Sequence, residues 1–285
     1  MNAPPAPSGR WPRRSNLQCR VFTAILCGLL ALGAVWFSSW TFLLSCALIS
    51  LLALVEFYRL INCDLRRAET VVMFGFAIFI WFAVAGTLEV GYVSFRYIGV
   101  ALLTLPTIGI ILLYQKRETT AVLTLSYLIF SQVYILLPFI LFYISSFGIR
   151  YDGQYDFRLP LGILFLHWQA DSMAYFAGRF MGRRTLFPRI SPRKTWEGFA
   201  GGIAGNLLLG WLFEVVWPTE QFNWILVGLV IAVMGLFGDL VESMIKRNLD
   251  VKDSGGLLPG HGGLLDRFDG FFFAMPSVFV VQLLL

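Results

Sequence analysis

The sequence predicts an all-α polytopic membrane protein of about nine spanning helices with a cytoplasmic N-terminus. Three observations carry this. Of the 285 residues 58% are apolar and only 14% charged, whereas a soluble domain carries about a quarter charged residues. The apolar residues gather into long stretches, several of about 18 residues or more, enough to cross a hydrocarbon core of about 30 Å as a helix. Finally, Lys and Arg are sorted. If the N-terminus is inside and the stretches alternate, all but Arg96, Arg150 and Arg158 fall on the cytoplasmic side, as the positive-inside rule requires.

Taken in order, residues 1–19 open with NAPPAPSGRWPRRS, a Pro-rich, basic segment expected to be a disordered tail. The stretch 20–37 is expected to be a retained first span, because it lacks the small-x-small cleavage site of a signal peptide. Spans are then expected at 41–61, 71–88, 92–113, 121–147, 159–180, 197–217, 223–245 and 270–285. The fifth contains Pro138 and is expected to tilt or kink. No internal inverted repeat is visible. The chain therefore divides into N-terminal spans (20–157) and a C-terminal region (158–285) that holds the polar chemistry. Cys19, Cys27, Cys46 and Cys63 lack C-x-x-C spacing and read as small apolar filler. The net charge of +5 is accounted for by topology, so no nucleic-acid partner is expected. The same topology puts the loops 182–198 and 252–270 on the cytoplasmic face, where nucleotides are found.

Within the C-terminal region, Asp239, Glu242, Ser243 and Lys246 fall on one helical face at i, i+3, i+4 and i+7. Intramembrane carboxylates mark functional sites by default; the alternative is an Asp239–Lys246 network snorkelling at a helix end. The loop KDSGGLLPGHGGLLDRFDG (252–270) supplies glycines that permit unusual backbone angles and close approach to a ligand. Asp266 and Asp269 stand one turn apart; paired hard oxygens near phosphates suit Mg²⁺, while capping of the last span is the simpler role. Asp171, inside span six, either bonds Ser172 or Tyr175 or reaches a polar cavity. His167 reads as a packed histidine. In SPRKTWEG (191–198), Arg193 and Lys194 can neutralise phosphates, Ser191 or Thr195 can cap the next helix, and a merely topogenic basic loop is the alternative. Together these are the means to handle a nucleoside triphosphate with a divalent metal, where catalysis needs positioning and charge neutralisation.

Ser243-x-x-Lys246-Arg247, Lys252-Asp253-x-Gly255 and Leu258-Pro259-x-His261-Gly262-Gly263-Leu264-x-Asp266-Arg267-Phe268-Asp269 follow one another without a gap. This run resembles the signature of the phosphatidate cytidylyltransferases, also called CDP-diacylglycerol synthases. The likeness extends to Gly238-Asp239-Leu240-x-Glu242, to Ser191-Pro192-x-Lys194-Thr195-Trp196-Glu197-Gly198, and to Asp171-Ser172-x-Ala174-Tyr175 with Gly178 and Gly182. The first 160 residues share only their hydrophobic spans. The resemblance implies an integral membrane enzyme joining CTP and phosphatidate to give CDP-diacylglycerol and pyrophosphate. It implies Mg²⁺, with a second cation such as K⁺ beside it, and a homodimer. On this footing Asp239, Asp266 and Asp269 are expected to hold the metal, with Asp171 a further contributor. Lys194, Lys246, Arg247 and Lys252 are expected to bind the triphosphate or lipid phosphate. Ser243, Ser191, Thr195, Gly262 and Gly263 are expected at the substrate, and His261 is expected to orient the loop or donate to pyrophosphate. The expected location is a bacterial plasma (inner) membrane with the site facing the cytoplasm. Competing readings are a cytidylyltransferase for another lipid phosphate, a solute or ion transporter using Asp171 and Asp239 as a relay, and a catalytically dead paralogue.

Overall fold

A computed structural model describes residues 13–90, 95–114, 118–147, 154–219, 223–257 and 262–284. Within them the chain is helical almost throughout, as long apolar segments must be when no water is present to satisfy the backbone. The helices are α1 (Arg13–Phe37), α2 (Ser39–Leu60), α3 (Ala68–Leu88), α4 (Phe95–Leu113), α5 (Glu118–Ser131), α6 (Leu137–Ser145), α7 (Arg158–Met181), α8 (Trp196–Val216), α9 (Trp224–Asn248) and α10 (Leu265–Leu284). Among the described residues six segments are long and apolar enough to cross a membrane: α2, α3, the α5–α6 rod from Ala121 to Ser145, α8, α9 and α10. The protein is thus an all-α integral membrane protein with one exception. A two-stranded antiparallel hairpin, β1 (Thr185–Phe187) and β2 (Ser191–Thr195), pairs Thr185 with Thr195 and Phe187 with Ser191 inside the segment read as a loop.

Local chemistry places the helix ends. Ser38 and Thr41 form a reciprocal capping box at the start of α2, Thr195 caps α8 through a bond from the Gly198 amide (3.1 Å), and Asn223 caps α9 through the Leu226 amide (2.9 Å). Each satisfies amides that a helix start leaves without intrahelical acceptors. Pro138 lies in the first turn of α6, directly after a π turn at Gln132–Leu136. Proline cannot donate to the carbonyl four residues back, and the wider turn absorbs that loss without ending the rod. Two boundaries differ from expectation. Helix α1 already begins at Arg13, inside the segment read as tail, and α10 begins at Leu265 rather than 270. Asp266 in the first turn of α10 complements the positive end of the helix dipole, so the charged run DRFD starts the helix instead of preceding it.

Two packing regimes follow. Around α2, α6 and α10 the contacts are aromatic: Phe42–Phe142 (5.0 Å between centroids, edge-on), Phe142–Phe271 (5.2 Å) and Tyr134–Phe272 (4.9 Å). Some polar groups buried there are paired, as with Tyr58 to Ser131 (2.9 Å) and Trp81 Nε1 donating to Ser50 Oγ (3.0 Å). Among α7–α10 small residues carry the packing. A Cβ added to Gly198 would come 2.8 Å from the carbonyl oxygen of Ala174, and one on Gly228 2.7 Å from that of Asn206. Between helices in lipid, close backbone approach and interhelical bonds replace the hydrophobic drive; Asn206 Nδ2 donates to the Gly228 carbonyl at 3.0 Å. Cys27, Cys46 and Cys63 are free thiols.

Candidate active site

The small-residue crossings bring the polar segments together around a cavity of about 510 Å³. Helix α7 contributes His167, Asp171 and Tyr175, β2 contributes Arg193, Lys194 and Thr195, α9 contributes Asp239, and α10 contributes Asp266 and Asp269. The crossing of α9 and α10 sets the two acidic walls. A Cβ on Gly238 would sit 2.5 Å from the Asp269 carbonyl oxygen and 3.0 Å from Gly270 Cα. Gly238→Val is therefore expected to force α9 from α10, separate Asp239 from Asp269, and lower turnover by about 10²-fold while the membrane-inserted chain persists. Activity per folded molecule, normalised by size-exclusion recovery, checks this; unchanged turnover would remove the crossing from the site's construction.

The charges form two linked clusters. Asp239 is paired with Lys194 across from α9 to the hairpin, and accepts a bond from Ser243 Oγ at 3.2 Å. Lys246 lies between Glu242 Oε1 (3.2 Å) and Asp266 Oδ1 (2.6 Å), with all three side chains largely buried. Asp266 Oδ2 accepts the amides of Ser254 (3.0 Å) and Gly263 (3.1 Å). Asp269 Oδ1 accepts its neighbour's amide, Gly270 N (2.7 Å). Among the described residues neither Asp171 nor Asp269 has an ion-pair partner. Arg179 and Arg193 on the same lining also have no ion-pair partner among the described residues, so the cavity holds acidic and basic groups not paired with one another, in surroundings that penalise isolated charge.

Several expectations meet here. Asp171, Lys194, Thr195, Asp239, Asp266 and Asp269, read from separate segments, line one cavity. The face Asp239–Glu242–Ser243–Lys246 forms as read, but Lys246 turns to Glu242 and Asp266, and Asp239 takes Lys194 instead. Asp171 is not the partner of its neighbours: Ser172 Oγ donates to the Trp168 carbonyl (2.8 Å) and the Tyr175 hydroxyl accepts from Arg179 (2.9 Å). His167 is buried, 8% exposed, with its ring edge-on to Phe271. Thr195, not Ser191, caps α8. Glu197 accepts the amides of Arg183 (3.0 Å) and Arg184 (3.2 Å), fastening the base of the hairpin. Arg247 and Lys252 are exposed and away from the cavity lining. Gly262 has φ of 87°, a backbone conformation that favours glycine, and Gly263 abuts Asp266. His261 lies outside the described residues. Sequence reading passed over Glu56 of α2, which accepts bonds from Ser254 Oγ (2.7 Å) and the Leu264 amide (2.6 Å). Its signal was present: a lone carboxylate in an apolar span.

The donor chemistry suits a hard divalent cation. Among the described residues no three His, Cys, Asp or Glu side chains gather into a ready metal site. Mg²⁺ is usually held by one or two carboxylates together with substrate phosphates, and Asp239 and Asp269 both line the cavity.

Residues 18–285 match a family model described as the cytidylyltransferase family. Among curated relatives, the chain is 32% identical over 274 residues to a phosphatidate cytidylyltransferase of Staphylococcus haemolyticus, covering 94% of this chain and 100% of that protein. It is 49% identical over 133 residues to the Bacillus subtilis protein of the same name, covering 46% of this chain and 49% of that one. It is 48% identical over 120 residues to the Synechocystis protein, covering 41% of each. The latter two matches span half or less of those relatives' length.

Proposed function

The chain belongs to the cytidylyltransferase family, and we propose that it transfers the cytidylyl group of CTP to phosphatidate, releasing CDP-diacylglycerol and pyrophosphate. The observation that supports this most is the convergence of three separately read segments, 171–195, 239–246 and 266–269, on one cavity lined by both carboxylates and cations. The nucleophile is a phosphate monoester, anionic at neutral pH, so no strong general base is required. The obstacle is repulsion between an anion and a polyanion. Lys194 and Arg193, on the hairpin wall, neutralise phosphate charge, while Asp239 keeps the Lys194 ammonium in place. Lys246, already held by Glu242 and Asp266, orders the acidic wall from behind. Asp239 and Asp269, with Asp171 and Asp266 alongside, would hold Mg²⁺. That metal, when bound, screens the phosphates and stabilises the leaving pyrophosphate. A second, monovalent cation such as K⁺ would add to this screening.

We further propose nine spans, with α1, α4 and α7 added to the six segments above, a cytoplasmic N-terminus, and a site facing the cytoplasm of a bacterial inner membrane. The distribution of Lys and Arg supports this orientation, and bacterial relatives support the setting. A homodimer is the proposed assembly. Membership of an enzyme family removes the transporter reading.

The test is turnover of purified protein in liposomes with labelled CTP, phosphatidate and Mg²⁺, following both products. Equal formation of CDP-diacylglycerol and pyrophosphate is expected. Product only with another lipid phosphate would transfer the assignment to that substrate, and no product with any lipid phosphate would overturn it. In the same assay Lys194→Met is expected to raise the KM for CTP by about tenfold or more, the loss of one charge-assisted phosphate contact. Unchanged kinetics would return Lys194 to a purely topogenic role.

A further inference from the structure

We propose that Glu56 is a positioning residue: it closes the glycine loop ahead of α10 and so makes the N-terminal helices part of the machinery that aims the cavity's acidic wall. The inference rests on the reading of the cavity as the cytidylyltransferase site.

Glu56 stands near the end of α2, 2% exposed, nearly 200 residues in sequence from the loop it touches. Its Oε1 accepts the Ser254 hydroxyl at 2.7 Å and its Oε2 accepts the Leu264 amide at 2.6 Å. Asp266 grips the same two loop ends from the other side, accepting the amides of Ser254 (3.0 Å) and Gly263 (3.1 Å). Asp266 also holds Lys246 (2.6 Å) and borders the cavity. Two carboxylates thus pin one loop closure, and only one of them belongs to the segment that carries the polar motifs.

The glycines confirm how tightly Glu56 is fitted. A Cβ on Gly255 or on Gly263 would overlap the Glu56 carboxyl group. Neither position has a positive φ; among described glycines that belongs to Gly262. At 255 a side chain would meet the Glu56 carboxylate, and at 263 the Ser254 hydroxyl together with that carboxylate, so a substitution at either would have to displace the Glu56–Ser254 contact. Among the described residues Glu56 has no ion-pair partner, only neutral donors, and a buried carboxylate so held is costly. An apolar residue would fill α2 more cheaply but would leave the Leu264 amide and Ser254 hydroxyl without acceptors. The bonds of Glu56 therefore fix where α10 begins, and with it the stations of Asp266 and Lys246.

The experiment uses the full chain in lipid nanodiscs, with Glu56→Gln, Ser254→Ala and the double variant. Three quantities are read: kcat and KM for CTP and for phosphatidate per folded molecule, thermal midpoint, and amide hydrogen exchange without nucleotide. Glu56→Gln keeps the volume but turns an amide donor toward one of the two donors. Expected are a fall of kcat/KM for CTP by about 10²-fold, as for a misplacement of about 1 Å, an unchanged KM for phosphatidate, and faster exchange at Leu264 with the amides of 42–55 still protected. The double variant is expected to be no worse than Glu56→Gln alone, because both remove one connection. Unchanged loop exchange, independent effects of the two substitutions, or a loss of folded protein with normal kcat/KM in what remains would each overturn the proposal. Should Glu56→Gln not fold, Ser254→Ala removes one of its bonds without altering α2, and Ser254→Ala with normal kinetics and exchange overturns the proposal by itself. Failure of the wild type to make product from CTP and any lipid phosphate would sink the function proposed above. The exchange comparison would still decide whether Glu56 closes the loop.

Discussion

Asp269→Asn is expected to abolish turnover in a protein that still inserts and folds. Asp269 faces the cavity from α10 opposite Asp239, without an ion-pair partner among the described residues. Removing its charge therefore breaks no salt bridge, and its bond to the adjacent Gly270 amide can be kept by the amide oxygen. The fold should be unaffected or slightly relieved of repulsion. On the function proposed above, what is lost is an anionic oxygen that would hold the divalent ion, a contribution of several kcal/mol, so the rate should fall by at least about 10²–10³-fold. The measurement is CDP-diacylglycerol formation across a wide Mg²⁺ range, beside a thermal melt. A variant with normal turnover at ordinary Mg²⁺ would exclude Asp269 as a ligand.

Lys246→Met should fail differently, losing stability and activity together. Lys246 bridges Glu242 and Asp266, and the three side chains are 11%, 5% and 11% exposed. Methionine nearly matches the volume and leaves two buried carboxylates facing each other. Breaking such a buried pair by removing one partner costs about 3–5 kcal/mol. The expected result is a lower melting temperature, poor recovery from detergent, and little turnover in the folded remainder, since Asp266 would release the loop ends it holds. Lys246→Arg should restore part of the stability by keeping the charge. A stable, inactive Lys246→Met protein would instead make Lys246 a phosphate-contacting residue, as the sequence had suggested.

These contrasts show what a linear reading reaches. Membrane class, helix identity and the polar segments were legible because they depend on local properties: apolar length against a fixed hydrocarbon thickness, helical periodicity that puts 239, 242, 243 and 246 on one face, and capping residues such as Thr195. The family was legible because its motifs lie in contiguous runs. The hairpin at 185–195 was not, since strands of three and five residues leave too little alternation to distinguish them from a basic loop.

The sequence by itself determined that this is an integral membrane protein of the cytidylyltransferase kind, with its chemistry concentrated between Asp171 and Asp269. Only the tertiary structure decided who pairs with whom. Lys194 reaches Asp239 because β2 folds back beside α9, and Lys246 is drawn to Asp266 because α9 and α10 cross at Gly238 and Gly270. Glu56 enters because α2 passes under the loop before α10. Periodicity states which face of a helix a residue occupies, whereas the partner across from that face is set by crossing geometry, and in lipid that geometry depends on where small residues let backbones approach.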